Sequence, residues 1–404
     1  MKVLHINTYS GGGAGIACLR LHQALLDSGI SSNALFKYVG EETRLTEGVI
    51  EFQHKEPFVR KVNRVFKTRF DRLTREHQKI VTSGQNFEIF STPLNEYRVE
   101  KFVRDFEPDI IHLHWISDFI NFPSFFKGVD RPIVWTFHDM NPLFGGAHYE
   151  GDMERFKLLL EEVEEKYREI KRYSLSFAGR IHVVTPSKWL VEKSQHSELF
   201  AGCNHSHIPN CIDVETFNLK SKRELRQKYG FLESTKVLLF VSQSVDNFRK
   251  GGDLLAQTVP TLVEKGVKLL VVGDDHSGEF EGNPDIRFLG RIKDQSKMAE
   301  IYALSDAYLL PSREDNFPNV MVESLLCGTP VLSFARGGMK DVIVDGVNGL
   351  LALKPNKASV KKLISDFFAM RPFDPVIVRN SILAQVEPQN VANKYIQIYK
   401  ELIK

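Results

Sequence analysis

The sequence predicts an α/β protein built from two doubly wound, Rossmann-like domains, and three observations carry that reading. In both halves, short runs rich in Val, Ile and Leu end in glycine or polar loops and lead into apolar residues at helical spacing, the repeating unit of a parallel sheet. The 404 residues exceed what one core usually holds, so two domains of about 200 residues each are expected. Loops of ligand-binding character follow strands in each half, where open parallel sheets bind their ligands.

Composition narrows the class. Hydrophobic content of 42% and charged content of 26%, without a long polar tract, describe a chain ordered nearly throughout. A net charge of +2 provides no global attraction for nucleic acid. The four cysteines, at 18, 203, 211 and 327, are too few for a disulfide scaffold and lack zinc or redox spacing, which fits a reducing cytoplasm. The N-terminus is too short in apolar residues for a signal peptide, and no run of ~20 apolar residues exists to span a membrane.

In chain order, Val3 to Ile6 reads as a buried strand, Thr8 to Gly15 as a glycine loop containing Gly12 and Gly13, and Ile16 to Leu26 as a helix. Such glycines allow close approach to a ligand, and the helix start presents N–H groups suited to phosphate. The dinucleotide fingerprint is not met, because Ile16 occupies the place of the last glycine and the strand around Ala34 lacks a terminal acid. Residues 57–75 read as a basic amphipathic helix, with Phe58, Val62, Val65, Phe66, Phe70 and Leu73 on one face and a cluster of Arg and Lys around it. This pattern fits an anionic membrane surface, and equally a helix packed on its own domain. Val99 to Phe106 follows as a helix and Pro108 to Trp115 as a strand. That strand carries His112 and His114, with no third ligand in sight, so no metal is expected there. Pro132 to Phe137 is a strand ending in His138 and Asp139, Asn141 to Tyr149 a loop, and Glu150 to Arg172 one long charged helix.

The second half opens with a strand from Lys236 to Ser242, then Arg249-Lys250-Gly251-Gly252 at a helix start. Two adjacent cations and helix N–H groups suit a diphosphate leaving group. Leu269 to Gly273 and Ile286 to Arg291 are further strands; Asp274 and Asp275 between them are not read as metal ligands. Pro311 to Val331 then reads as a strand end, a polar loop with Asn316 and Phe317, a short helix opened by Pro318, a stop at Gly328 and another strand. Asn319 and Glu323, four apart, share a helix face, which sets a carboxylate one turn behind an anion-seeking helix start. The helix from Pro388 to Ile403 presents Val391, Tyr395, Ile398 and Leu402 on one side.

The stretch from Asp315 to Val331 has an acid, seven residues, Glu323, then Cys327-Gly328-Thr329-Pro330-Val331. It resembles the signature of retaining family 4 glycosyltransferases of the GT-B fold. The likeness extends to His138 with its loop, to Lys250, and to Pro209-Asn-Cys-Ile-Asp213, which matches the family's interdomain segment. It implies that Asp315 and His138 contact the donor sugar, that the loop Asn316, Phe317, Pro318 and Asn319 holds the diphosphate, that Glu323 holds the ribose, and that Gly12 and Gly13 form the donor and acceptor loop. Three departures stand out: Asp315 where Glu is usual, Cys211 for Gly, and Val245 where the family has an arginine, leaving Arg249 to supply that charge. The implied domains are 1–209, joined by helix 388–404, and 210–387. The implied activity is retaining, metal-independent transfer from a nucleoside diphosphate sugar to a glycan or lipid-linked acceptor in cell-surface polysaccharide synthesis, by a cytoplasmic or membrane-peripheral protein with no bound cofactor and no nucleic-acid partner. A nucleotide-sugar epimerase of the same fold and a non-catalytic glycan-binding protein are the rival readings.

Overall fold

The structure is a computed structural model that describes residues 1–53, 72–84, 87–275, 278, 280 and 282–404. It divides into two compact units, Met1–Ile208 with Val391–Lys404, and Pro209–Asn390.

The first unit is built on seven parallel strands: β1 (Lys2–Tyr9), β2 (Ser31–Tyr38), β3 (Val49–Glu51), β4 (Ile110–Leu113), β5 (Ile133–Thr136), β6 (Ile181–Thr185) and β7 (Asn204–His207), in the order β3-β2-β1-β4-β5-β6-β7. The second holds six: β8 (Lys236–Ser244), β9 (Val267–Asp274), β10 (Ile286–Phe288), β11 (Ala307–Leu310), β12 (Val331–Phe334) and β13 (Gly349–Ala352), ordered β10-β9-β8-β11-β12-β13 and again all parallel. Every residue of β4, β5, β11 and β12 is buried, as expected of strands covered on both faces, and this is why they read as unbroken apolar runs rather than alternating ones. Both orders reverse direction once, between β1 and β4 and between β8 and β11. In open parallel sheets such a reversal is where ligands bind, at the carboxyl ends of the strands, because the loops on either side leave toward opposite faces.

The C-terminal helix Pro388–Leu402 belongs largely to the first unit, with Val391, Tyr395, Ile398 and Leu402 buried as their spacing predicts. Two tyrosine hydroxyls fix it to the sheet: Tyr399 meets His112 Nδ1 at 2.6 Å, and Tyr395 meets Thr136 Oγ1 at 2.9 Å. The single helix expected over Glu150 to Arg172 is instead two, Glu150–Arg155 and Lys157–Leu175. Phe156 breaks it at φ −119° and ψ 24°, with its ring set edge-on to Phe87. Aromatic burial outweighs helix continuation there. Of the basic stretch 57–75, residues 57–71 lie outside the described residues. The described helix Arg72–Val81 packs on the first unit: Leu73 and Ile80 join a cluster with Phe90, Leu160 and Tyr167, and Arg72 pairs with Glu162 at 2.8 Å.

Candidate functional site

In the second unit the strand-order reversal decides which loops meet. The turn after β8 carries Arg249, Lys250 and Gly251, and the segment after β11 carries Arg313 to Phe317. Because β8 and β11 are neighbours, residues 65 apart in sequence come into contact. Gly251 makes the approach feasible: its φ is +78°, and a Cβ there would stand 2.1 Å from the Pro311 carbonyl oxygen. Arg313 holds the turn from the other side through a fork to Asp253, both arms at 2.7 Å, with its guanidinium over the Phe248 ring.

Asp315 sits at the centre. One carboxylate oxygen, Oδ2, lies between the Lys250 ammonium and the Arg249 guanidinium, the latter at 3.2 Å; the other accepts the Asn316 N–H at 3.0 Å. Burial pushes this carboxyl up, but the Lys250 and Arg249 charges outweigh it and the net shift is downward, so Asp315 stays ionised. The sequence reading aimed Asp315 at a sugar. In the fold, its first partners are the two cations. Gly337, at φ +51°, lets a neighbouring turn close over it, since a Cβ would strike the Asp315 carbonyl oxygen at 2.0 Å. Val245 is fully buried in the core, and Arg249 and Lys250 are the cations that reach Asp315 from this turn.

Pro318 is the N-cap of the helix Asn319–Leu326, one position earlier than expected, and no side chain caps that end. Gly328, at φ +77°, terminates it. Glu323 is 8% exposed on this helix among Met321, Val322 and Leu325, and accepts from the Tyr302 hydroxyl at 3.4 Å. Burial, and next the Glu323 charge, push the Tyr302 phenol well up, so it remains a donor. Asn319 Oδ1 accepts from Asn210 Nδ2 at 2.9 Å, tying the helix start to the segment that opens this unit. Asp274 is paired with Arg291 at 2.5 Å and Asp275 accepts backbone N–H groups of Gly278 and Phe280, which engages both acids in their own loop.

In the first unit, the reversal between β1 and β4 brings together the glycine loop and the ends of β4 and β5. A Cβ added at Gly12 or Gly13 would meet nothing within 4 Å; Gly11 caps the helix Gly12–Asp27 without a side-chain bond. His138 follows β5, and its Nε2 lies 3.0 Å from His114 Nδ1. The loop beyond it is fixed by two buried ions that sequence reading missed. Glu164 accepts the N–H groups of Gly145, Gly146 and Ala147, and Lys171 Nζ donates to the carbonyls of Asn141 and Phe144, each at 2.7 Å. Burial pulls the Lys171 pKa down to about 7 despite the nearby Glu164 charge. Asp139 Oδ2 receives His148 Nδ1 and Trp115 Nε1, both at 2.6 Å, and His148 Nε2 meets Ser91 Oγ at 2.8 Å. This connectivity is that of a nucleophilic triad, but Ser91 is 2% exposed and offers no access to a substrate carbonyl. It fastens the loop to its neighbours instead. The only signal for these partners in the sequence was polar residues within otherwise apolar helix faces, as at Glu164 and Lys171.

Comparison with known proteins accords with this geometry. Residues 11–216 match the family model described as Glycosyltransferase Family 4, and residues 235–368 the model described as Glycosyl transferases group 1. The chain is 28% identical over 212 residues to an N-acetyl-alpha-D-glucosaminyl L-malate synthase of Bacillus anthracis, covering 49% of this chain and 54% of that protein. It is 25% identical over 276 residues to a D-inositol 3-phosphate glycosyltransferase of Xylanimonas cellulosilytica, covering 60% and 59%. The chain thus spans little more than half the length of these relatives. Among solved structures, sucrose-phosphate synthase from Thermosynechococcus elongatus superposes with a TM-score of 0.69 at 16% identity, covering 100% and 99% of the two chains. HepE of Anabaena in complex with UDP gives 0.67 at 18%, covering both chains fully. Two parallel-sheet Rossmann-like units, the GT-B architecture of these structures, and a family match over more than half its residues together establish that the chain belongs to glycosyltransferase family 4.

Proposed function

We propose that the protein is a retaining glycosyltransferase that moves a sugar from a nucleoside diphosphate sugar to a hydroxyl of a glycan or lipid-linked acceptor in cell-surface polysaccharide synthesis. The observation that carries this reading is the meeting of Arg249 and Lys250 with Asp315 at the strand-order reversal, beside an uncapped helix start with Glu323 one turn in. Two fixed cations and the positive end of a helix without a side-chain cap stabilise a departing diphosphate. Glu323 is positioned to accept from ribose hydroxyls. Asn316 to Asn319 are assigned to the diphosphate, and Asp315, His138, Gly12 and Gly13 to the sugar end of the donor. An incoming diphosphate competes with Asp315 for the cations, which frees that carboxylate for sugar hydroxyls. With the leaving group stabilised, one of its oxygens takes the proton from the acceptor hydroxyl on the same face, which retains configuration without a protein nucleophile.

Metal independence belongs to the same proposal, since Arg249 and Lys250 supply the charge and Asp274 is held by Arg291. Purified protein incubated with a panel of nucleotide sugars, UDP sugars first, is expected to hydrolyse one donor slowly and to continue undiminished in chelator. Full loss in chelator, restored by magnesium or manganese, would overturn the metal-independent part. A new sugar nucleotide formed from donor alone would instead identify an epimerase.

A cytoplasmic position at an anionic membrane is the final part. Each basic residue near an anionic surface adds up to ~1 kcal/mol, so the cluster within residues 57–75 would hold the protein reversibly. Sedimentation with vesicles is expected to require anionic lipid, fall with salt, and drop sharply when Arg60, Lys61, Arg64 and Lys67 become Ser. Unchanged sedimentation of that folded variant would leave the stretch as ordinary surface.

A further inference from the structure

We infer that His5 and His114 are positioning residues that hold the His138 ring in the tautomer carrying its hydrogen on Nδ1, making that nitrogen a hydrogen-bond donor toward an oxygen of the sugar. The inference rests on the assignment of His138 to the donor sugar, and its central measurement does not depend on activity.

Three rings form a continuous chain. His5 Nδ1 lies 2.9 Å from His114 Nε2, and His114 Nδ1 lies 3.0 Å from His138 Nε2. The fold builds this from strand geometry. Side chains two apart in a strand share a face, so His112 in β4 and His114 just beyond it point the same way. The register sets His5 of β1 opposite His112, and His138 follows β5, the neighbour of β4 on its other side. His112 stacks on His114 at 4.2 Å but does not enter the chain, because its two nitrogens are engaged by Tyr399 and Thr136.

Hydrogen counting then leaves two states. Three neutral rings carry three N–H hydrogens on six nitrogens, and each inter-ring bond needs one hydrogen and one lone pair. The two bonds use two hydrogens. The third must sit at an outer end of the chain, on His5 Nε2 or on His138 Nδ1, and the end chosen fixes the tautomer of every ring. Burial keeps all three rings neutral, lowering the pKa of each, that of His138 to about 4.

The buried end decides between the states. His5 is fully buried and its Nε2 has no hydrogen-bond partner among the described residues. A hydrogen on that nitrogen would be a donor stranded out of water. A bare lone pair there is the lesser cost, since orphaned buried N–H groups are rarer in folded proteins than under-satisfied acceptors. The hydrogen is therefore driven to the other end, where His138 is only partly buried. The resulting state is unusual, because an isolated histidine side chain in water favours the hydrogen on Nε2.

Cys18, His5 and His114, whose ligand atoms lie within 4.8 Å of one another, could be taken for a metal site, which shares only His114 with the pair weighed from the sequence. A metal would need a nitrogen of His114, and both of them are engaged in the ring chain, so the two readings exclude one another.

The test is a long-range proton–nitrogen correlation spectrum of the full-length, deuterated protein labelled with nitrogen-15 histidine, at neutral pH. His138 is assigned by loss of its signals in His138→Asn. The expected result is His5, His114 and His138 all with hydrogen on Nδ1. In His114→Phe, which cuts the chain, His138 is expected to revert to the Nε2–H form and donor turnover to fall about tenfold, 1.4 kcal/mol; His114→Gln, whose amide can accept from His5 and donate to His138, is expected to restore both. His138 found with its hydrogen on Nε2 in the unmodified protein would overturn the inference, as would one zinc or copper ion per chain by elemental analysis. Nδ1–H on His138 combined with wild-type donor turnover in His138→Asn would leave the tautomer standing and overturn the contact with the sugar instead.

Discussion

Glu323→Ala and Lys250→Ala are each expected to lower donor turnover by roughly 30-fold to 1000-fold, the equivalent of about 2 to 4 kcal/mol for a charged hydrogen bond removed from a water-poor site. The two effects have different origins. Glu323 is almost fully buried and its described partner, Tyr302, lies at a long 3.4 Å. Thermal stability measured beside turnover separates its part in donor binding from its part in folding. Lys250 is one of two cations on a single Asp315 oxygen. Removing it subtracts charge from the leaving group and leaves Asp315 with Arg249 as its cationic partner at that oxygen, so the carboxyl should titrate higher. Turnover by both variants within threefold of the unmodified protein, at matched thermal stability, would sink the assignment of this site.

Acidification is expected to unfold the first unit well before the second. Twelve of the thirteen histidines lie in Met1–Ile208, and burial lowers the pKa of His5, His22, His112, His114 and His138 among them. Between the folded and unfolded pKa such a ring binds fewer protons in the native state. The contribution of these rings is thus level above pH 6.5 and falls as the pH drops toward the folded value. For His138, a shift from 6.5 to about 4 corresponds to about 3 kcal/mol, and the other rings add to it. Lys171 acts in the same direction on the alkaline side: with a native pKa near 7 against 10.5 unfolded, its contribution rises between those values. Trp115, Trp135 and Trp189 are the only tryptophans and all belong to this unit, so their fluorescence reports it alone. Urea midpoints followed by tryptophan emission should fall steeply from pH 7 to 5. A midpoint that stays constant over that interval would show that the histidine cluster is not held neutral.

The sequence by itself determined the elements and the chemistry of single segments. Apolar runs such as Leu309-Leu310 and Val331-Leu332 read as strands because both faces of a parallel sheet are covered, and glycine or proline marked where loops begin. The acid-to-Glu323 spacing and the Arg249-Lys250 pair were legible because each lies within a few residues, where helix periodicity and charge adjacency fix geometry locally. Pairings across long separations were not legible. That Asp315 would meet Lys250, that Glu164 and Lys171 would clamp the loop after His138, and that His5 would reach His138 through His114 all depend on strand order and register. Strand order arises from how crossover helices cover the two sheet faces, a property of the whole domain. The break at Phe156 has the same origin, since a ring's burial against Phe87 is invisible to a helical wheel. Local spacing specifies which groups a segment offers, and only packing of the complete sheet selects which of them touch.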